Sequence, residues 1–147
     1  MSQDEEKPLS TGPLGLSGDY TEGYSVELLH PMPRAEGRRA VGLEVSSESQ
    51  TVSLGKDLWT GYEFSWLDTK GKPVVAGLKI VVDCATTNIV ESKSMKLYLN
   101  GFAQTQFADA GAVSARLNQD LSSAFAGDVV VELIPIDELA GQWATMQ

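Results

Sequence analysis

Apolar and polar positions alternate along two stretches of the chain, and a period of two marks a strand with one buried face. In the first stretch Tyr62, Phe64 and Trp66 alternate with Gly61, Glu63 and Ser65, which predicts a strand from near Leu58 with one aromatic face. In the second, Ala76, Leu78, Ile80, Val82 and Cys84 share one side of the run 74–84, and Lys79 and Asp83 take the other. Asp68-Thr69-Lys70-Gly71-Lys72-Pro73 lies between them and reads as a turn, so the two strands form an antiparallel hairpin.

The period then becomes helical. Met95, Leu99 and Phe102 recur at helical spacing within 91–105. Asp109 is placed to cap a second helix with the stripe Val113, Leu117, Leu121, Ala124 and Phe125, and Gly127 is placed to stop it. Val129-Val130-Val131-Glu132-Leu133-Ile134 predicts a third strand, which Pro135 confines to an edge or an end. The order β-β-α-α-β predicts an α+β fold, an antiparallel sheet with two helices packed on one face.

Outside this regular core, at 57–139, the pattern weakens. Residues 1–18 are polar and rich in Gly, Pro and Ser and read as a flexible lead-in. Residues 19–56 carry scattered anchors (Tyr20, Tyr24, Leu28, Leu29, Val41 and Leu43) and read as an irregular arm laid on the sheet. The stretch 140–147 shows no strong finishing element, so the sheet is expected to need a partner over its exposed edges. No internal repeat is present.

Composition narrows the function classes. The 147 residues suit one domain, and 42% of them are apolar, enough for a packed core. Twenty acidic residues against 11 basic give a net charge of −9, which argues against nucleic-acid or acidic-membrane partners. The single cysteine, Cys84, excludes an internal disulfide and fits a reducing compartment. With no run long enough to span a bilayer and a polar, acidic start, the expected location is cytoplasmic. The only histidine, His30, has no acidic or Cys partner at ligand spacing, so no metal site is expected. Cys84, on the apolar face of a strand, reads as an inert small hydrophobe.

The stretch richest in chemistry is Glu91-Ser92-Lys93-Ser94-Met95-Lys96-Leu97-Tyr98, where the second strand hands over to the first helix. Lys93 and Lys96, three apart, share one side of the helix start, with Ser hydroxyls and expected free backbone N–H groups at the same end. Such an end suits a phosphate. Glu91 is shaped to accept paired N–H groups from a flat heterocycle. The same residues also read as an ordinary helix start with solvated lysines.

This stretch resembles the signature of the QueF family, the NADPH-dependent 7-cyano-7-deazaguanine reductases. Asp19-Tyr20, Leu28-Leu29, Pro33-Arg34, Asp57-Leu58-Trp59-Thr60, Tyr62-Glu63, Ser65-Trp66-Leu67, Asn88, Leu99-Asn100, Asp137-Glu138-Leu139 and Gly141-Gln142 are similar to the amino-terminal module of its two-module members. The resemblance covers roughly residues 14–142. It implies a tunnelling fold, whose sheets join side by side with ligands at the seams. It also implies reduction of a nitrile to an amine with hydride from NADPH, within queuosine biosynthesis for tRNA modification. By the resemblance Val90, Glu91 and Ser92 would line the 7-cyano-7-deazaguanine, and Ser92, Lys93 and Lys96 would touch NADPH. A carboxyl-terminal module and a homodimer are the implied partners.

The family's reacting groups are missing. The nucleophilic Cys and its Asp belong in the window 66–74, which holds no Cys. A His-Glu pair belongs where Phe107-Ala108-Asp109 stands, and an Arg-Gly pair where Pro135-Ile136-Asp137-Glu138 stands. All three losses fit an amino-terminal module whose catalytic residues lie in a second module, so no catalytic residue is assigned here and the chain alone is expected to be inactive. The alternatives are a free-standing, non-catalytic module that binds a nucleotide or purine, and a domain that only pairs sheets in an assembly.

Overall fold

The computed structural model describes residues 23–43 and 54–143. Elements follow in the order β1 (Pro31–Pro33), α1 (Arg34–Ala40), β2 (Lys56–Leu67), β3 (Pro73–Asp83), β4 (Asn88–Val90), α2 (Ser92–Gly101), α3 (Ala110–Phe125), β5 (Val129–Pro135) and α4 (Ile136–Trp143). Single 3-10 turns sit at Val26–Leu28 and Phe102–Gln104. β2, β3 and β5 form an antiparallel sheet with β3 in the centre, and β1 and β4 form a second, two-stranded one. The class is α+β. The expected hairpin is β2–β3, and β5 lies at an edge, where Pro135 is tolerated.

One face of the three-stranded sheet carries the core. Leu78, Ile80 and Val82 of β3 meet Val113, Leu117, Leu121 and Phe125 of α3 and Met95 and Tyr98 of α2, all at 2% exposure or less. Burial of each such apolar side chain contributes about 1.5–3 kcal/mol. Phe102, fully buried after α2, is the hub of an aromatic cluster, with ring centroids 5.0 Å from Tyr24, 5.4 Å from Phe64 and 5.3 Å from Tyr98.

Several expectations are corrected. Tyr62 is expected on one face with Phe64 and Trp66, but it is 64% exposed while those two are buried. The cause is a bulge: Gly61 pairs with Leu78 and Phe64 with Ala76, so Tyr62 and Glu63 together oppose Gly77. An extra residue breaks the period of two on which the alternation was counted. Cys84 lies one residue beyond β3 and is only partly buried, not a strand-core residue. Of the arm's anchors, Leu29 is buried and Tyr24 and Leu28 pack on the core, but Val41 and Leu43 are exposed. The arm also contains regular elements, β1 and α1. Tyr20 lies outside the described residues.

Helix ends differ as well. Asp109 caps α3 by accepting from the Ala112 N–H at 2.8 Å, as expected. At the other end the left-handed turn is made by Ala126, at φ 52°, and not by Gly127. Gly127 is demanded by proximity: a Cβ there would sit 2.6 Å from Thr86 Cγ2. Helix α4 takes in the first part of the weak run 140–147, of which 144–147 lie outside the described residues, and its Leu139 reaches over Gly77 on the sheet face opposite α2 and α3. The helices therefore do not all lie on one face, and Ile134, under α4, is buried to 3%.

Candidate functional site

α2 starts because Glu91 makes it start. With extended backbone (φ −64°, ψ 136°), its side chain turns back over the first turn. One carboxylate oxygen accepts from the Lys93 N–H at 2.8 Å and the other from the Ser94 N–H at 2.9 Å. This is N-capping by a residue longer than the usual Asp or Ser, and its charge complements the helix dipole. Glu91 is 5% exposed. The expectation of free N–H groups at this end is therefore corrected: the Lys93 and Ser94 amides are already satisfied by a buried carboxylate. A phosphate here would have to be met by side chains.

The arm braces this entrance from outside. The Glu91 N–H donates to the His30 carbonyl at 3.0 Å, and the His30 N–H donates to Ser94 Oγ at 3.0 Å. Ser94 Oγ donates in turn to the Glu91 carbonyl at 2.7 Å. The part of His30 that matters to the entrance is its backbone.

Beside the entrance runs a groove of about 520 Å³ between β2 and α2. β2 contributes Thr60, Glu63 and Ser65, and α2 contributes Ser92, Lys96 and Asn100. Among the described strands β2 pairs with β3 alone, apart from a single bridge from its last residue Leu67 to Gln106, so this groove lies along an edge strand. Trp59, Met95 and Leu99 give it an apolar floor with polar groups around it, the usual make-up of a small-molecule site.

The structure brings together part of the predicted set. Ser92 and Lys96 are exposed and line the groove. Lys93, in the same turn, is partly buried and outside the lining. The Val90 side chain is 2% exposed and belongs to the core, and Glu91 is committed to the cap. Among the described residues no group of three His, Cys, Asp or Glu side chains could hold a metal, and no helix is long and apolar enough to cross a membrane.

Two features escaped the sequence reading. Glu63 lines the groove from the bulge, which alternation alone does not reveal. The second is a buried carboxylate, Asp120 of α3, which accepts from the Tyr98 hydroxyl at 2.9 Å and also from that of Tyr24. Burial first, then the bond to Asp120 and its charge, push the Tyr24 phenol up to about 12 and that of Tyr98 far above its ordinary range. Both phenols thus remain donors across any physiological pH, and they pin the arm and α2 to α3. An acidic residue on the buried stripe side of α3 was the available signal.

Residues 20–133 match the family described as nitrile reductase, 7-cyano-7-deazaguanine-reductase N-term. The chain belongs to this family. It is 43% identical over 129 residues to the NADPH-dependent 7-cyano-7-deazaguanine reductase of Dechloromonas aromatica, covering 88% of this chain and 44% of that protein. The enzyme of the same name from Delftia acidovorans is 44% identical over 130 residues, 84% of this chain and 45% of that protein. That of Acidovorax ebreus is 48% identical over 111 residues, 76% of this chain and 38% of that protein. The chain thus spans less than half the length of the relatives it matches.

Proposed function

We propose that this family member is the amino-terminal module, spanning 19–147, of an NADPH-dependent reductase that converts 7-cyano-7-deazaguanine to its aminomethyl counterpart, acting in the cytoplasm. One observation carries the reading: the exposed Ser92 and Lys96 converge on a groove along an edge strand. In this reading the groove is one wall of a cleft, the sheet is one part of a tunnelling fold, and the opposite wall belongs to a carboxyl-terminal module within a homodimer.

The residues present fit the cofactor. Two lysines and a hydroxyl within one helical turn suit phosphate oxygens, and the groove volume lies within the usual range of ligand sites, about 300–1,000 Å³. Bound NADPH would supply the hydride for the nitrile carbon. Lys93, Lys96 and Ser92 would hold its phosphates. The Glu91 carboxylate can accept further N–H donors from the substrate edge while its two helix bonds persist, since ionised carboxylates offer about four acceptor positions. Val90 would set the height of Glu91 from below, through packing.

The family's windows hold no nucleophilic Cys, no His-Glu pair and no Arg-Gly pair, so this chain alone is expected to show no turnover. The test is kinetic. In the two-module protein, Lys93→Ala and Lys96→Ala should raise KM for NADPH with kcat little changed. The expected cost is about 1–3 kcal/mol, as for hydrogen bonds to charged groups. An unchanged KM in both variants refutes the cofactor assignment. Tight NADPH or purine binding by this chain alone would favour a free-standing binding module instead.

A further inference from the structure

Strand β1 is Pro31-Met32-Pro33, and its pairs with β4 are Pro31 with Val90, Met32 with Ile89 and Pro33 with Asn88. Proline has no N–H, so two of the three residues cannot donate to the ladder. A three-residue pair of this kind is marginal by itself. Yet this pair sets Val90 and, one residue on, the Glu91 cap. The His30 backbone bonds to Glu91 and Ser94 extend the pair by one residue at that end; the other end needs a further tie.

The structure supplies Arg34, the first residue of α1, directly after β1. Its Nη2 donates to Asp57 Oδ2 at 2.5 Å, an ion pair with the start of β2. Its Nε donates to Thr86 Oγ1 at 3.0 Å and to the Asn88 carbonyl at 3.1 Å. Its backbone N–H donates to the Thr87 carbonyl at 3.0 Å. The Arg34 side chain is only 10% exposed, so its bonds to Thr86 and Asn88 are shielded from competing water, while Asp57 is 35% exposed. One guanidinium thus ties the end of β1 to β2, to the β3–β4 turn and to β4 itself.

We infer that Arg34 is a positioning residue: by fastening β1 to β4 it fixes the Glu91 cap and the first turn of α2 against the groove. It does not line the groove and acts through Glu91. The functional part rests on the groove being one wall of the ligand cleft; the positioning part does not. Lysine cannot replace Arg34, because one ammonium cannot meet Asp57 while a planar Nε–H also meets Thr86 and Asn88.

The test is residue-resolved amide exchange on the 147-residue chain, as wild type, Arg34→Gln and Arg34→Lys. Both variants should speed exchange of the Lys93 and Ser94 amides about tenfold, the loss of one bond to a charged group, while Leu117 and Leu121 in α3 stay within about twofold. Unchanged Lys93 and Ser94 exchange overturns the inference. So does an equal acceleration at all four amides, which would mean that Arg34 only supports overall stability. Should Arg34→Gln fail to fold, Arg34→Lys alone decides it. In the two-module reductase the same variants should raise KM for 7-cyano-7-deazaguanine. Local exchange that rises with KM unchanged would leave Arg34 as the brace of the cap and overturn the reading of the groove.

Discussion

Asp120→Ala tests the packing that holds α2, α3 and the arm together. Asp120 is 7% exposed and serves two hydroxyls, one on Tyr98, which is itself fully buried, and one on the partly exposed Tyr24. Removal of the carboxylate leaves the Tyr98 hydroxyl unpaired in the core, at a cost of about 1–3 kcal/mol. The Tyr24 hydroxyl can turn toward water and costs less, and release of a buried carboxylate offsets part of both. The net loss expected is about 2–3 kcal/mol. With a urea slope near 2 kcal/mol per molar, the unfolding midpoint should fall by about 1–1.5 M. Tyr98→Phe leaves Asp120 its bond from Tyr24 and should cost about 1 kcal/mol. Adding Tyr98→Phe to Asp120→Ala should recover part of the loss, because the stranded donor is then gone. A midpoint for Asp120→Ala within about 0.2 M of wild type, or no recovery in the double variant, refutes the argument that the carboxylate is there to serve the two phenols.

Three further outcomes follow from other parts of the fold. Because the folded Tyr24 phenol is raised above its unfolded value, its stabilisation is complete below pH 10 and is lost as pH rises through about 12; alkaline unfolding of wild type should therefore be steeper than that of Tyr24→Phe, and identical pH profiles would contradict the shift. Glu91→Ala removes both cap bonds and should lower stability by about 1–2 kcal/mol in thermal unfolding, whereas Glu91→Gln, which keeps an acceptor, should lose less. Gly101→Ala would put a Cβ 2.6 Å from the Gly23 carbonyl oxygen and 2.9 Å from Tyr24 Cα; the expected cost is about 1–3 kcal/mol with loss of protection in the arm, and a neutral result would show that the arm is not seated there.

The parts of the fold that were legible in the sequence are those where one period governs many residues. The α3 stripe of Val113, Leu117, Leu121 and Phe125 is fully buried, and the β3 face of Ala76, Leu78, Ile80 and Val82 is inward, as the spacing required. Misreadings occurred where a single residue breaks the period or a distant segment sets the environment. The β2 bulge moved Tyr62 outward, and α4 covers a sheet face that local pattern left open. At the site, residue identity pointed to the α2 entrance, and Ser92 and Lys96 do line a groove. The state of Glu91 was not legible: capping depends on the backbone turning at that residue, and the brace from His30 and Arg34 is a contact between segments far apart in sequence. The Tyr24–Asp120 contact, 96 residues apart, is of the same kind.

The groove between β2 and α2 is the centre of the proposed function, and ligand-dependent amide exchange of the proposed two-module reductase tests it most directly. With NADPH and 7-cyano-7-deazaguanine present, peptides covering 58–66 and 91–103 should gain protection together. Protection gained elsewhere, with both of these segments unchanged, would contradict it.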